Sequence, residues 1–164
     1  MSQLKNAAAV TLKGAPVAKL TIRGKLAWEK SRIINWLPKA TDEDRSTIYN
    51  GIGYKVGTRL SSSGKTESND KLMQQAMCAS GYIPANPGDT LRIQGFIIAS
   101  DMNYYVIAYD STNAKTGYLN ISTATSPFAL TLDAATFGSN FNAIRFCVRN
   151  LNAESIVTIN QELP

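Results

Sequence analysis

The chain has 164 residues, of which 44% are hydrophobic and 18% charged, and it contains no histidine. A chain of this length is roughly one domain and can bury a core without disulfide or metal staples. The missing histidine excludes Ser-His-Asp and Cys-His nucleophile systems, a histidine zinc site and an imidazole pH switch. Net charge is +5 but unevenly spread: residues 1–41 hold eight basic side chains against the single acid Glu29, while the remainder is slightly acidic. A basic arm suits an acidic partner or nucleic acid, but the body lacks the basic face of a DNA reader, so nucleic acid is not the expected ligand. Cys78 and Cys147 allow at most one bridge and no C-x-x-C site, and two free thiols are expected. No apolar run reaches membrane-spanning length, and the start Met1-Ser2-Gln3-Leu4-Lys5 lacks a secretory apolar region.

Residues 9–29 alternate roughly, with Gly14-Ala15-Pro16 and Arg23-Gly24 as turn signals, which predicts a three-stranded meander. Leu20, Ile22, Leu26 and Trp28 would share its apolar face. A sheet that small needs cover. Residues 30–50 read as a connector containing Trp36 and ending in the polar run Thr41 to Ser46, which places a domain boundary at 45. The arm is then residues 1–45 and the main domain residues 46–164.

From Ile48 onward the pattern is strand after strand: 57–62, 76–83, 90–98, 103–109, 118–121, 128–132, 143–149 and 155–160, with a helical turn within 67–77. Short strands at this spacing predict an all-β fold, an antiparallel β-sandwich of jelly-roll type preceded by the small meander arm. Leu91, Ile93, Val106, Leu130, Ile144, Phe146, Val148 and Ile156 are the expected inward residues. Arg145, Cys147 and Arg149 fall on the opposite, solvated face of their strand.

Several motifs look chemical. Ser63-Gly64-Lys65-Thr66 resembles the end of a P-loop, but Arg59 stands where the first glycine is needed, so an exposed hairpin is the better reading. Gly51-Ile52-Gly53 with Gly57 misses the dinucleotide spacing by one and reads as a turn. Asp89, Asp101, Asp110 and Asp133 sit at strand ends, where turn capping outweighs calcium binding. No carboxylate pair is marked for glycoside hydrolysis, so no catalytic residue, metal or cofactor is expected. The aromatic residues are more informative. Tyr49, Tyr54, Tyr104, Tyr105, Tyr109 and Tyr118 lie in or beside loops and strand ends, and exposed aromatic faces suit the C–H surfaces of sugars.

Two further stretches carry a resemblance. The run Ile48 to Gly64, with Arg59-Leu60-Ser61-Ser62, precedes Gly81-Tyr82-Ile83-Pro84 and Pro87-Gly88-Asp89, and Tyr109-Asp110-Ser111 ends a later strand. Together they resemble a pattern in bacteriophage tail and baseplate proteins, and Leu20 to Glu29 is similar to short attachment segments of the same kind of protein. The resemblance implies a virion subunit with a carbohydrate-binding-module-like jelly roll, made in the bacterial host cytoplasm without a signal peptide. It implies host glycan as the ligand but fixes no contact residue; the six tyrosines named above are the expected contacts on the aromatic reading alone. It also implies attachment to other virion proteins and a trimer; the arm's uncovered apolar residues Leu20, Ile22, Leu26, Trp28 and Trp36 are the expected contacts. No membrane partner is expected. The rival reading is a capsid decoration or head-fibre protein with a purely structural role.

Overall fold

The computed structural model describes residues 35–36, 51–98, 102–152, 154–161 and 163, together with the backbone of four strands between residues 10 and 29. The chain forms two compact units, Met1–Ile33 and Ile34–Pro164. In the first, β1 (Val10–Leu12) pairs with β2 (Ala15–Val17), and β3 (Lys19–Ile22) pairs with β4 (Lys25–Glu29). The expected three-stranded meander is therefore two separate hairpins. The segment read as a turn, Ala15-Pro16, is itself a strand, with Pro16 opposite Thr11. A two-stranded hairpin tolerates proline because each of its strands is an edge. Leu20 stands opposite Trp28 in the register. The shared apolar face assigned to Leu20, Ile22, Leu26 and Trp28 lies outside the described residues.

The second unit is an antiparallel β-sandwich. Its strands and helical turns are β5 (Tyr54–Val56), β6 (Thr58–Leu60), β7 (Thr66–Ser68), α1 (Asp70–Gln74), β8 (Met77–Ser80), β9 (Ile83–Pro84), β10 (Thr90–Gln94), β11 (Tyr105–Tyr109), β12 (Lys115–Asn120), β13 (Phe128–Thr131), α2 (Ala134–Phe137), β14 (Ala143–Arg149) and β15 (Ile156–Ile159). The larger sheet runs β12-β11-β14-β8-β5, with β9 also on β14, and the smaller runs β13-β10-β15. After β10 the chain crosses between sheets repeatedly, so both sheets depend on contacts distant in sequence.

Alternation sets the core. Leu91 and Ile93 of β10 face Val106, Ile144, Phe146 and Val148 of the larger sheet, and all six are fully buried. Leu130, opposite Leu91 on an edge strand, is half-buried. β15 departs from the expected parity. The register pairs Val157 with Ile93, so Val157 points inward and fully buried while Ile156 is only half-buried. Four successive residues, Ile156-Val157-Thr158-Ile159, offer no polar alternation to fix the face from sequence.

The unit boundary falls at Ile33/Ile34, earlier than residue 45, because the next residues join the sandwich. Asn35 Nδ2 donates to the Ser155 carbonyl at 3.1 Å, and its Oδ1 accepts from Val157 N at 3.0 Å. Trp36 N donates to the Val157 carbonyl at 3.0 Å. These bonds occupy the free edge of β15, which would otherwise present unpaired backbone groups. Trp36 itself packs against the sandwich core. Its expected place in the attachment arm is thus corrected: it belongs to the main unit.

The two cysteines are free and buried. Cys78 pairs in register with Val148 and Cys147 with Ala79, so their side chains leave the larger sheet on opposite faces. A bridge between them would have to pass through the sheet.

Candidate functional site

The outer face of the larger sheet is covered rather than solvated. The β6–β7 hairpin lies across it, paired Thr58 with Ser68, Arg59 with Glu67 and Leu60 with Thr66. The Ser61–Lys65 turn is closed by Ser61 N to the Lys65 carbonyl at 3.0 Å and Gly64 N to the Ser61 carbonyl at 2.9 Å. Gly64 has φ +84°, a conformation that favours glycine. The Ser-Gly-Lys-Thr motif is therefore a hairpin turn.

Four strands clamp this hairpin. Thr58 Oγ1 accepts from Ala79 N of β8 at 3.1 Å. Arg145 Nη1 of β14 donates to Thr66 Oγ1 at 2.8 Å. Tyr109 of β11 donates its hydroxyl to the Gly64 carbonyl at 2.9 Å, and Lys115 of β12 donates to the Ser62 carbonyl at 2.8 Å. Burial pushes the Tyr109 phenol up to about 12, with the nearby Arg145 cation pulling the other way. Cys147, buried under Leu60, has its thiol pushed up by loss of solvent.

Arg145 is the residue that sequence reasoning misplaced most. Expected on a solvated face, it is 1% exposed. β8 pairs with β14 from Cys147 to Arg149, and β9 pairs with it at Ala143 and Ile144, leaving a gap opposite Arg145 and Phe146. Ser80 fills that gap. Its Oγ accepts from Phe146 N at 2.8 Å, and its carbonyl accepts from Arg145 Nε at 2.9 Å. The guanidinium lies over the Tyr82 ring, 5.0 Å from its centroid, and Tyr82 meets Tyr109 edge-on at 5.0 Å. The Nη2 atom is buried without a hydrogen-bond partner. Among the described residues no carboxylate pairs with this cation.

Beside the hairpin a groove of about 380 Å³ opens, lined by Arg59, Leu60, Ser61, Ser62, Met102, Asn103 and Tyr105. Tyr105 forms its floor on the outer face and stands edge-on to Tyr118, with centroids 5.6 Å apart. Tyr118 is 44% exposed, and the Lys115 ammonium sits 4.5 Å from its centroid. Asn103 Oδ1 accepts from Asn120 Nδ2 at 3.2 Å, which orients its amide at the rim. Arg59 is held by Glu67 through Nε at 2.7 Å and Nη2 at 2.6 Å, both to Oε2.

The six tyrosines therefore separate. Tyr54, Tyr104 and Tyr109 are 3%, 0% and 2% exposed and serve the core or the hairpin clamp, which corrects their expected role at a ligand. Consecutive strand residues point to opposite faces, so Tyr104 enters the core as Tyr105 leaves it. Tyr49 lies outside the described residues. Only Tyr105 and Tyr118 are brought together at a surface. Arg59, Ser61, Asn103 and Lys115 were missed, because nothing in their local pattern shows that the hairpin folds back over β11 and β12. A second cleft of about 380 Å³ lies where the edge strands β12 and β13 part, with Leu119, Ile121, Phe128 and Leu130 among its lining and no charged side chain. Among the described residues no group of three or more His, Cys, Asp or Glu side chains could hold a metal ion, and no helix is long and apolar enough to cross a membrane.

No family model, curated protein or solved structure matches the chain.

Proposed function

We propose that the chain works by binding rather than catalysis, as a phage virion subunit whose sandwich, of jelly-roll type, presents the Tyr105 groove and the neighbouring Tyr118 ring to host-surface glycans. The observation that carries the binding reading is one groove lined by Tyr105 together with hydroxyl, amide and guanidinium groups, with the exposed Tyr118 ring edge-on to Tyr105 beside it. A sugar ring can lay its C–H face on a tyrosine while its hydroxyls bond Ser61, Ser62, Asn103 and Arg59. Glycoside hydrolysis works instead through paired carboxylates. The four-strand clamp fixes the hairpin wall before any ligand arrives, which lowers the ordering cost of binding.

The virion context is supported by the sequence motifs alone. In that setting the basic N-terminal unit attaches the sandwich to other virion proteins and to sister copies. Repeated copies would supply avidity to weak single sites. A capsid decoration subunit with a structural role is the second reading. The burial of Tyr54, Tyr104 and Tyr109 favours it, since half of the aromatic set is out of a ligand's reach.

The test is retention of the full chain on a glycan array, beside Tyr105→Ala and Tyr118→Ala variants of unchanged thermal stability. The binding reading expects retention by the parent and its loss in both variants. Retention of no glycan by the parent chain overturns it and leaves the structural reading, which imaging of the chain on a particle's capsid lattice would support.

A further inference from the structure

We propose that the groove takes a saccharide carrying an anionic group, a carboxylate or a phosphate, and that Arg59 and Lys115 receive that group. The inference rests on the glycan-binding reading and adds the ligand's charge. Among the described residues no acidic side chain lines the groove, whereas Arg59 is part of its wall. Lys115 stands next to it, its ammonium fixed between the Ser62 carbonyl and the face of Tyr118. A sugar stacked on Tyr118 would thus bring its substituents beside a cation already held in place.

The one carboxylate paired with these cations among the described residues is Glu67, and its hold is partial. Both contacts from Arg59 fall on a single oxygen, Oε2, and the two side chains are 38% and 43% exposed. An exposed pair of this kind contributes little net stability. Arg59 Nη1 makes no hydrogen bond among the described residues, so the guanidinium keeps a donor edge for an incoming anion. A guanidinium fork suits carboxylate and phosphate oxygens in particular.

Behind the groove lies a further positive charge. Tyr105 neighbours Cys147 across the β11–β14 pair, and Arg145 is two residues along the same face, roughly 7 Å at strand spacing. Arg145 is buried with Nη2 unpartnered, so its field is screened by the protein interior rather than by water. Hairpin, sheet edge and sheet centre each bring a cation to this face, and Glu67 stands where a ligand's own anion would compete for Arg59.

The experiment uses the full chain in calorimetric titrations against four probes. These are an oligogalacturonate, its carboxyl-reduced neutral counterpart, an oligomer of glycerol phosphate carrying sugar, and polyglutamate. At least one anionic saccharide should bind about tenfold or more tighter than the neutral one, and which of the two does so identifies carboxylate or phosphate as the source. Lys115→Gln, an exposed change that leaves the core untouched, should remove most of that preference. Arg59→Gln should do the same. Glu67→Gln should strengthen binding of the anionic saccharide several-fold and leave the neutral one unchanged, an effect that a purely structural role for the pair would not produce. Equal affinity for the neutral and anionic sugars overturns the charge assignment while leaving the glycan site standing. Binding of none of the saccharides overturns both. Polyglutamate bound as tightly as the sugars, or a preference that survives in Lys115→Gln and Arg59→Gln, places the anion on the basic arm and overturns the proposal.

Discussion

Removing the Arg145 guanidinium separates two effects that the buried site combines. Its Nε–Ser80 and Nη1–Thr66 bonds tie β14 to the end of β8 and to the hairpin. Bonds from a charged donor contribute about 1.5–3 kcal/mol each. Against them stands the desolvation of a cation with no carboxylate partner among the described residues, an effect of several kcal/mol. The two nearly cancel, so the charge itself should add little net stability, whereas the side chain's volume and its tie to the hairpin should matter. Arg145→Ala empties the site and leaves the Ser80 carbonyl without its partner. It should cost about 3–5 kcal/mol, lowering the melting temperature by roughly 10 °C. Arg145→Met keeps most of the volume and removes the charge, and should stay within about 1–2 kcal/mol of the parent. Urea unfolding followed by far-ultraviolet circular dichroism measures both. A Met variant as damaged as the Ala variant would refute the cancellation. An Ala variant within about 1 kcal/mol of the parent would refute the clamp.

Further outcomes follow from other contacts. Because burial raises the Tyr109 phenol from 10 to about 12, the folded state holds its proton where the unfolded chain releases it. That stability is complete below pH 10 and lost as pH rises towards 12, on the order of 3 kcal/mol, and Tyr109→Phe should flatten this part of the alkaline unfolding curve. Gly81→Ala should prevent folding or cost more than about 3 kcal/mol in thermal unfolding, since a Cβ there would overlap the Gly51 carbonyl oxygen, a backbone atom. Asn35→Ala should cost about 1–2 kcal/mol in urea unfolding and speed hydrogen exchange at Val157, because Asn35 bonds both Ser155 and Val157 on the β15 edge.

Much of the sandwich is legible in the sequence. The 143–149 segment is a strand over those same residues, and Ile144, Phe146 and Val148 point into the core as their alternation requires. Alternation reports which side chains share a face. It does not report whether the other face meets water, so the same pattern that places Arg145 and Cys147 opposite the core cannot show that a hairpin buries them. The cover comes from a hairpin some eighty residues earlier, and no local pattern encodes a contact of that range. The groove was invisible for the same reason: Arg59, Asn103 and Lys115 belong to three separate segments. Tyr104-Tyr105 shows the limit in miniature, since the pair must split between core and surface, but only the β11–β14 register decides which goes where.

On the proposed function, a glycan meets the protein at the surface beside the β6–β7 hairpin. The most direct measurement is a nuclear magnetic resonance titration of the full chain with the tightest-binding oligosaccharide, following backbone amides and tyrosine ring signals together. Shifts should concentrate at Arg59 to Ser63, Met102 to Tyr105 and Lys115 to Tyr118, with the buried rings of Tyr54 and Tyr104 unmoved. Shifts confined to the N-terminal unit, or centred on the β12–β13 cleft around Phe128 and Leu130, would contradict it.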